Sequence, residues 1–354
     1  MKIALVGTIE SPINRKSIAG TEVWTYNFAE ELVKRGYQVT LFASSQSRCS
    51  GKLVVVSDRS DILNSRTGSF QKEKLDTFSV NEMIQVIKRS EEFDLIHLSA
   101  FRFYLYLPMV KFVQKSVVIT VHGSPLEAVD AKTIDAKFSE ANYAMVSKSC
   151  GSVWPDSSRK RVIYNGIKTN DFPFCDKKNN YYFWMGRLVA NKGVEDAIAF
   201  AQETKSKLFI AGPLGEKSYF KKNVEPFLND RIKYLGELDH AKKVKYYQGA
   251  KAFLMPIKWE EPFGLVVVEA MSCGTPVIAY KRGAMDEIIN DGVDGFLVKP
   301  NSIQGIIDAS KRLDQIDKTK CRKKVDDYFT VEKMVDGYEE VYRKVIEDFR
   351  KKKD

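Results

Sequence analysis

The chain opens with Lys2-Ile3-Ala4-Leu5-Val6, an apolar run of strand length that stops at the turn residue Gly7. After a polar loop, apolar residues recur at helical spacing over Glu22–Arg35, and Gly36 can take the left-handed conformation that ends a helix. A second apolar run follows at Val39–Ala43. This order of strand, helix and strand predicts one βαβ unit, which favours a parallel sheet covered by helices.

The same alternation continues along both halves of the chain. In the first half, short runs rich in β-branched residues lie at Leu53–Val56, Leu95–Leu98, Val117–Val121, Tyr143–Val146 and Val162–Tyr164. In the second half, they lie at Tyr181–Met185, Leu208–Ala211, Ile232–Leu235, Ala252–Met255, Val277–Ala279 and Gly295–Val298. Because helical patterns separate these runs, we expect two α/β domains, each built on a largely parallel sheet.

Between the two series, residues 165–180 contain Asn-Gly, Phe-Pro-Phe and a Lys-Lys-Asn-Asn run, which all interrupt regular structure. We therefore expect a first domain over residues 1–167 and a second domain over residues 168–328. Residues 329–354 carry an amphipathic pattern and a basic tail, which predicts a C-terminal helix that packs back on the first domain. The polar, weakly periodic segment Ser57–Ser79 is interpreted as a loop.

The composition is that of a folded protein in a reducing compartment. Hydrophobic residues make up 44% of the chain and charged residues 29%, a globular balance rather than a disordered one. The five cysteines are widely separated and include no Cys-x-x-Cys pair, which argues against a zinc or redox centre.

No stretch reaches the roughly 20 apolar residues of a spanning helix, so we expect a cytoplasmic protein with at most peripheral contact at the inner membrane face. The net charge of +10 favours anionic partners such as phosphate groups, acidic lipids or nucleic acid.

The segment richest in chemical features is Trp259–Pro276, which reads Trp-Glu-Glu-Pro-Phe-Gly-Leu-Val-Val-Val-Glu-Ala-Met-Ser-Cys-Gly-Thr-Pro. Pro262 suits the first turn of a helix that Gly274 ends, so the free N–H groups after Glu261 predict an anion site for a diphosphate. Glu269 is an isolated carboxylate in an apolar run, and a ribose diol would give it a polar partner. Two other interpretations stay open: Glu261 as a charge at a helix N-terminus, and Glu269 paired with a buried Arg or Lys.

Two cations follow the strand predicted at Tyr181–Met185. Arg187 and Lys192 lie between this strand and a helix that begins near Val194, so both side chains can reach the crevice at the carboxyl edge of the sheet. There they can neutralise a diphosphate leaving group. Since no Asp-x-Asp pair offers a metal site, we expect metal-independent chemistry. The alternative is that both cations are simply solvated.

The two glutamates belong to a recognisable pattern. Glu261 and Glu269, with Pro262-Phe263-Gly264 and Gly274-Thr275-Pro276, resemble the Glu-x7-Glu signature of the retaining family-four glycosyltransferases, which are group 1 glycosyltransferases of the GT-B fold. The resemblance runs over most of the chain. It implies two doubly wound Rossmann-like domains that face each other across a cleft.

The resemblance also implies roles for the residues that match the signature. Glu261 would lie near the transferred sugar, and Glu269 would hold the nucleotide ribose. The backbone that follows the first glutamate would bind sugar hydroxyls and phosphate, at Phe263, Gly264 and Leu265.

Further matches lie earlier in the second domain. Arg187 and Lys192 resemble the cationic pair with which the family neutralises the diphosphate. Gly212-Pro213 and Tyr234-Leu235-Gly236 resemble the segments that line the pocket of the nucleotide base. Structural turns explain these last two segments equally well.

Two residues of the first domain complete the predicted site. Gly20 lies at a helix N-terminus, where a glycine permits close approach of a ligand. The family usually has two glycines there, whereas this chain has Ala19 before Gly20, and a glycine needed only for the turn is the alternative. His122 stands at the end of a predicted strand and matches a family histidine that contacts the donor sugar. His97 and His240 lack such context and are interpreted as structural or exposed.

These observations predict a retaining glycosyltransferase that moves a hexose from a nucleotide diphosphate sugar to a hydroxyl acceptor, with no cofactor and no nucleic-acid partner. The resemblance alone selects UDP-glucose or a similar donor. Two alternatives stay open: a phosphorylase or sugar-nucleotide epimerase on the same architecture, and a non-catalytic nucleotide-sugar-binding protein. A dehydrogenase is disfavoured because the first turn lacks Gly-x-Gly-x-x-Gly.

Overall fold

The computed structural model describes residues 1–58, 68–100, 102–123 and 130–351, with side chains from residue 73 onward in the second range. These residues form two compact units. Unit 1 comprises Met1–Gly166 and Val331–Asp354, and unit 2 comprises Ile167–Thr330.

Unit 1 is built on a seven-stranded parallel sheet. Its strands are β1 Lys2–Val6, β2 Gln38–Ser44, β3 Lys52–Ser57, β4 Leu95–Leu98, β5 Ser116–Val121, β6 Ala141–Met145 and β7 Lys160–Val162. Its first helices are α1 Gly20–Lys34, α2 Gly68–Lys88, α3 Leu107–Val110, α4 Ala131–Lys137 and α5 Lys148–Ser152. The sheet order is β3-β2-β1-β4-β5-β6-β7, so the winding direction reverses between β1 and β4. Parallel sheets bind ligands at such a reversal, beyond the carboxyl ends of the strands.

Unit 2 repeats this plan with six strands. They are β8 Tyr182–Met185, β9 Leu208–Ala211, β10 Ile232–Tyr234, β11 Ala252–Met255, β12 Val277–Tyr280 and β13 Gly295–Val298. The helices are α6 Val194–Glu203, α7 Lys217–Asn223, α8 His240–Gly249, α9 Leu265–Ser272, α10 Met285–Ile288, α11 Ile303–Ser310 and α12 Lys318–Tyr328, and α13 Val331–Lys351 returns to unit 1. The order β10-β9-β8-β11-β12-β13 reverses between β8 and β11. The predicted doubly wound α/β fold of each half is confirmed.

The central strands match the sequence predictions because they are buried on both faces. On β1, Ile3 pairs with Val39 of β2 and with Leu95 of β4, and all three side chains are buried. At the sheet edge, the strand expected at Val162–Tyr164 lies two residues earlier, at Lys160–Val162. The physical reason is that β7 pairs with β6 alone, so this edge strand does not require a continuous apolar run.

The interpretation of Ser57–Ser79 as a loop is wrong over its second part, where α2 begins at Gly68. Residues 59–67 lie outside the described residues. The buried positions of α2 follow helical spacing, at Leu75, Ser79, Glu82, Met83 and Val86. Because Ser79 and Glu82 are polar, the sequence of α2 does not show a regular helical spacing of hydrophobic residues.

The C-terminal helix α13 packs within unit 1. It buries one apolar face at Val331, Met334, Val335, Tyr338, Tyr342 and Val345. Tyr338 shares a 2.7 Å hydrogen bond with Thr120 of β5, and Arg35 forms ion pairs of 2.7 Å with Asp336 and 3.1 Å with Glu339. Among the described residues, no helix is both long enough and apolar enough to cross a bilayer.

His97 is a buried structural residue of unit 1 and connects β4 to α13. Its Nδ1 lies 2.5 Å from the hydroxyl of Tyr342, and its Nε2 lies 2.7 Å from the hydroxyl of Thr120. Burial lowers the pKa of His97 from 6.5 to about 3. The folded state therefore keeps this ring neutral over a pH range in which the unfolded chain protonates it, and the ring's contribution to stability is lost as the pH falls from about 6.5 to about 3.

A His97→Gln variant tests this linkage. Because glutamine cannot titrate, the difference in unfolding free energy between wild type and variant is expected to shrink by about 1.4 kcal/mol per unit as the pH falls from about 6 to about 4. Urea denaturation at a series of pH values measures this difference. A difference that is independent of pH would show that His97 is not held neutral in the folded protein.

Candidate functional site

The reversal point of unit 2 brings two predicted site residues into contact. Lys192 follows β8 in the chain and Glu261 follows β11, and these neighbouring strands end at the same edge of the sheet. The Nζ atom of Lys192 lies 2.6 Å from Oε2 of Glu261. The two side chains are largely buried, with 23% and 12% of their surfaces exposed. A cation and a carboxylate are therefore held together where doubly wound sheets bind ligands.

The two loops that carry this ion pair are joined through their backbones. The amide of Lys258 donates to the carbonyl of Asn191 at 2.9 Å. Gly193 has a φ of +72°, and a Cβ atom at this position would lie 1.8 Å from the carbonyl oxygen of Pro256. Any residue larger than glycine would push the loops apart, so the Lys-Gly pair in the sequence has a steric basis.

Trp259 belongs to the same cluster as Lys192 and Glu261, although the sequence pattern did not indicate it. Its Nε1–H donates to Oε2 of Glu261 at 3.0 Å, and the Lys192 ammonium lies 4.9 Å from the centre of its ring. The aromatic ring therefore fixes both members of the ion pair. Oε1 of Glu261 has no hydrogen-bond partner among the described residues, so it can accept a hydroxyl group of a ligand. The sequence feature that could have indicated Trp259 is its position, two residues before Glu261.

The helix after Glu261 begins at Leu265, three residues later than the predicted start at Pro262. Gly264 precedes it in the left-handed conformation, with φ 94° and ψ 66°, and this turn keeps the preceding residues out of the helix. A Cβ atom on Gly264 would lie 3.6 Å from Cγ of Glu261. The glutamate side chain thus lies beside the start of α9, whose first amides lack acceptors within the helix.

The predicted backbone ligands surround this turn. Phe263 is buried, and its ring centre lies 5.6 Å from that of Phe329 within unit 2. Leu265 is the first residue of α9 and is half-buried. The side chain of Phe263 therefore anchors the loop from which the amides of Gly264 and Leu265 follow.

Glu269 forms an ion pair with a lysine. The sequence alone leaves open that this glutamate pairs with a buried Arg or Lys. Its Oε1 lies 2.9 Å from Nζ of Lys243, and its Oε2 accepts a hydrogen bond of 3.0 Å from the hydroxyl of Tyr247. Burial and the neighbouring carboxylate raise the pKa of Tyr247 well above its usual value, which keeps this hydroxyl a donor. Lys243 and Tyr247 are four residues apart on α8, a spacing that places them on one face of the helix.

The two segments that resemble the base pocket are hydrogen-bonded to each other at the ends of β9 and β10. The amide of Gly212 donates to the carbonyl of Gly236 at 2.9 Å, and the hydroxyl of Tyr234 donates to the carbonyl of Gly212 at 2.8 Å. Gly212 has φ +129° and Gly236 has φ +72°. The turn interpretation thus accounts for both glycines, and the contact with a base stays a prediction.

Arg187 lies two residues after the end of β8 and is exposed. Within the part of the chain that the structure describes, its guanidinium forms no hydrogen bond and no ion pair. The structure therefore joins Lys192 to Glu261 without including Arg187, and a role for Arg187 as a second cation stays a prediction.

The remaining predicted residues belong to unit 1. Gly20 is the first residue of α1, and Ala19 caps the helix with an ordinary extended backbone that alanine adopts without strain. The ring of His122 lies 4.8 Å from that of Trp24 in an edge arrangement. Burial lowers the pKa of His122 to about 3, so the ring is neutral. Its Nε2 is buried without a hydrogen-bond partner among the described residues.

The charged groups of the unit 2 site suit an anionic, hydroxyl-bearing ligand. Lys192 and the start of α9 attract negative charge, and Glu261 can accept hydrogen bonds from hydroxyl groups. Over the residues with described side chains, no group of three or more His, Cys, Asp or Glu is placed to hold a metal ion.

Comparisons with known proteins identify the family. Residues 168–327 match the family described as glycosyl transferases group 1, and residues 18–171 match the family described as glycosyltransferase family 4. The N-acetyl-alpha-D-glucosaminyl L-malate synthase of Bacillus anthracis is 22% identical in an alignment that covers 98% of each chain. An uncharacterized 42.6 kDa protein from the cps region of Klebsiella pneumoniae is 29% identical over 206 residues, which is 58% of this chain but only 52% of that protein.

The fold is shared with solved structures. Anabaena HepE, crystallised with UDP and glucose, superposes with a TM-score of 0.78 at 19% identity, over 97% of this chain and 100% of that one. At this identity the likeness establishes the architecture, and the family follows from the two sequence matches. The chain belongs to the group 1 glycosyltransferases and has the GT-B fold.

Proposed function

We propose that unit 2 binds the diphosphate of a nucleotide sugar at Lys192 and the start of α9, and that the protein transfers a hexose to a hydroxyl acceptor with retention of configuration. The observation that carries this proposal is the 2.6 Å ion pair between Lys192 and Glu261 at the reversal point of the sheet. The donor we favour is UDP-glucose or a similar UDP-hexose, because Anabaena HepE was crystallised with UDP and glucose.

The diphosphate would be held by one cation and by peptide dipoles. Lys192 keeps enough exposed surface to reach a ligand while its ammonium stays over the ring of Trp259. At the start of α9, the amides of Leu265 and Val266 lack acceptors within the helix. Such helix ends bind phosphate groups and stabilise charge that develops on a leaving diphosphate. These groups can supply that stabilisation without a divalent ion, which is why we propose metal-independent transfer.

The two glutamates would orient the sugar nucleotide. Oε1 of Glu261 can accept a hydrogen bond from a hydroxyl of the transferred sugar, while Oε2 keeps its contacts with Lys192 and Trp259. Each oxygen of Glu269 has one donor, so each can accept a second hydrogen bond from a ribose hydroxyl. The site would thus recognise diphosphate, sugar and ribose through groups that are already in place.

Transfer would depend on positioning and charge stabilisation rather than on a nucleophilic side chain. The acceptor oxygen forms a bond to the anomeric carbon while the bond from that carbon to the diphosphate oxygen breaks, and the departing oxygen takes the acceptor proton. Attack on the face that the diphosphate leaves retains the configuration. The family resemblance alone assigns roles to three further residues. Arg187 would be a second cation for the diphosphate, and His122 would contact the sugar. Gly20 would allow the backbone to approach the ligand closely.

A thermal-shift screen over UDP-, GDP- and ADP-linked hexoses tests the donor class. A UDP-hexose at about 100 times its dissociation constant should stabilise the protein by about 2.7 kcal/mol, whereas the other nucleotides should give smaller shifts. Release of UDP from that donor, with and without EDTA, then tests metal independence. A protein that no nucleotide sugar stabilises, or that splits a glucoside with inorganic phosphate instead, would contradict the proposal.

A further inference from the structure

Unit 1 has a separate cavity that is open at the protein surface, is surrounded mainly by polar and charged residues, and is lined by none of the site residues. Its volume is about 380 Å³, within the usual range for small-molecule sites. The walls come from Asn14–Lys16 in the loop after β1, from Tyr26 and Glu30 on α1, and from Arg48–Ser50 after β2. The function proposed for unit 2 assigns no role to these residues.

The cavity has an excess of positive charge. Arg15, Lys16 and Arg48 are exposed, and none of the three forms an ion pair with another described residue. Glu30 is the single acidic residue in the lining, and its two carboxylate oxygens accept hydrogen bonds of 2.6 Å and 2.8 Å from the amide and hydroxyl of Ser50. This carboxylate therefore holds the loop rather than an arginine, so the cations are left to attract an anion.

The loops that carry these cations are tied to each other. The amide of Ile13 donates to the hydroxyl of Ser47 at 3.0 Å, and the amide of Arg48 donates to the carbonyl of Ile13 at 2.8 Å. Within the first loop, the amide of Lys16 donates to the side-chain carbonyl of Asn14 at 2.8 Å. Because these bonds fix the backbone beneath the cations, ligand binding has to order the cationic side chains but not the loops that carry them.

We propose that this cavity binds a phosphate-bearing anion. The guanidinium of Arg15 can offer paired N–H donors to phosphate oxygens, and Lys16 adds a point charge. Nη1 of Arg48 donates to the carbonyl of Ser47 at 2.6 Å, and the other N–H groups of this guanidinium can donate to the phosphate. The phosphate could belong to a soluble phosphorylated molecule or to a phospholipid headgroup. Ile18, two residues beyond Lys16, is 57% exposed and gives an apolar contact that only the second source would use.

Alkylation of Cys49 gives a readout specific to this cavity. Cys49 lines the cavity and is a half-buried free thiol, and the half-buried Cys175 of unit 2 serves as an internal reference. The rate of N-ethylmaleimide labelling is measured for both peptides by mass spectrometry, with inorganic pyrophosphate or with vesicles of phosphatidylcholine that do or do not contain phosphatidylglycerol. We expect labelling of Cys49 to slow about fivefold when the site is about four-fifths occupied, with no change at Cys175.

The charge variant Arg15→Gln/Lys16→Gln/Arg48→Gln should abolish this protection. The control variant Lys88→Gln/Lys137→Gln/Lys344→Gln removes the same charge from exposed positions of unit 1 and should keep the protection. Protection by pyrophosphate identifies a soluble phosphate ligand, and protection only by vesicles with phosphatidylglycerol identifies a lipid headgroup. If neither probe protects Cys49, or if the charge variant is protected as well as wild type, the proposal is wrong. The test measures labelling of Cys49 and not transfer activity. Its outcome is therefore independent of the function proposed for unit 2.

Discussion

Lys192→Met is expected to lower kcat/KM for sugar transfer by about 10²–10³-fold, the usual cost of losing one preorganised group that stabilises developing charge. In the folded protein Lys192 is held by Glu261 and lies over the ring of Trp259, so its ammonium is already in place for the diphosphate that we propose it binds. Methionine keeps most of the side-chain length and removes the charge. The effect should appear in steady-state rates of UDP release from the donor in the presence of acceptor.

Lys258→Met is the matched control for this change. Lys258 lies on the same loop as Glu261, but its ammonium pairs with Asp196 at 2.7 Å. The substitution therefore breaks a comparable ion pair without removing the cation beside Glu261. We expect its rate to stay within about threefold of wild type, since a partly exposed pair contributes about 1 kcal/mol or less. Equal losses in the two variants would mean that Lys192 acts through loop stability and not through the ligand.

Glu269→Ala is expected to destabilise unit 2 by about 3 kcal/mol, the lower end of the range for removing one partner from a buried ion pair. The substitution leaves the Lys243 ammonium without its carboxylate and the buried Tyr247 hydroxyl without its acceptor. Urea denaturation measures the change. The surface pair of Arg322 and Asp326 gives a control, because Asp326→Ala should cost less than about 1 kcal/mol.

A double-variant cycle separates the ion pair from the rest of the packing. If Lys243 and Glu269 are coupled, the variant Glu269→Ala/Lys243→Ala should be more stable than the sum of the two single losses predicts. The same variants report on function. If Glu269 also binds the ribose, its removal should weaken nucleotide binding. Strict additivity of the stability changes would contradict the paired arrangement of Glu269.

The sequence predicted the sheets well because their central strands are buried on both faces. The run Lys2–Val6 coincides with β1, and Leu95–Leu98 coincides with β4. Such strands are rich in apolar residues on both faces, so their composition and length reveal them even where a polar residue such as His97 is buried within one. The edge strand β7 and the helix α2 were placed incorrectly or missed because polar residues are tolerated at an edge, and Ser79 and Glu82 occupy buried helical positions.

The site was predictable as a set of residue types at strand ends, but its contacts were not. Lys192 and Glu261 are 69 positions apart, and their contact depends on loops that approach closely at Gly193. Nothing in the local sequence indicates that Glu269 pairs with Lys243, 26 positions earlier on a different helix. Arg187 shows the opposite case. Its position after β8 predicts a shared crevice, whereas its side chain forms no hydrogen bond or ion pair with another described residue.

The most direct test of the account is the affinity of the protein for a nucleoside diphosphate and for its parent nucleoside, measured by calorimetry in wild type and Lys192→Met. The base should be the one whose nucleotide sugar gives the largest thermal shift. If the diphosphate docks at Lys192 and the start of α9, the variant should bind the diphosphate at least about tenfold more weakly, a change of about 1.4 kcal/mol, and bind the nucleoside as wild type does. Equal affinity of wild type and variant for the diphosphate would contradict the account.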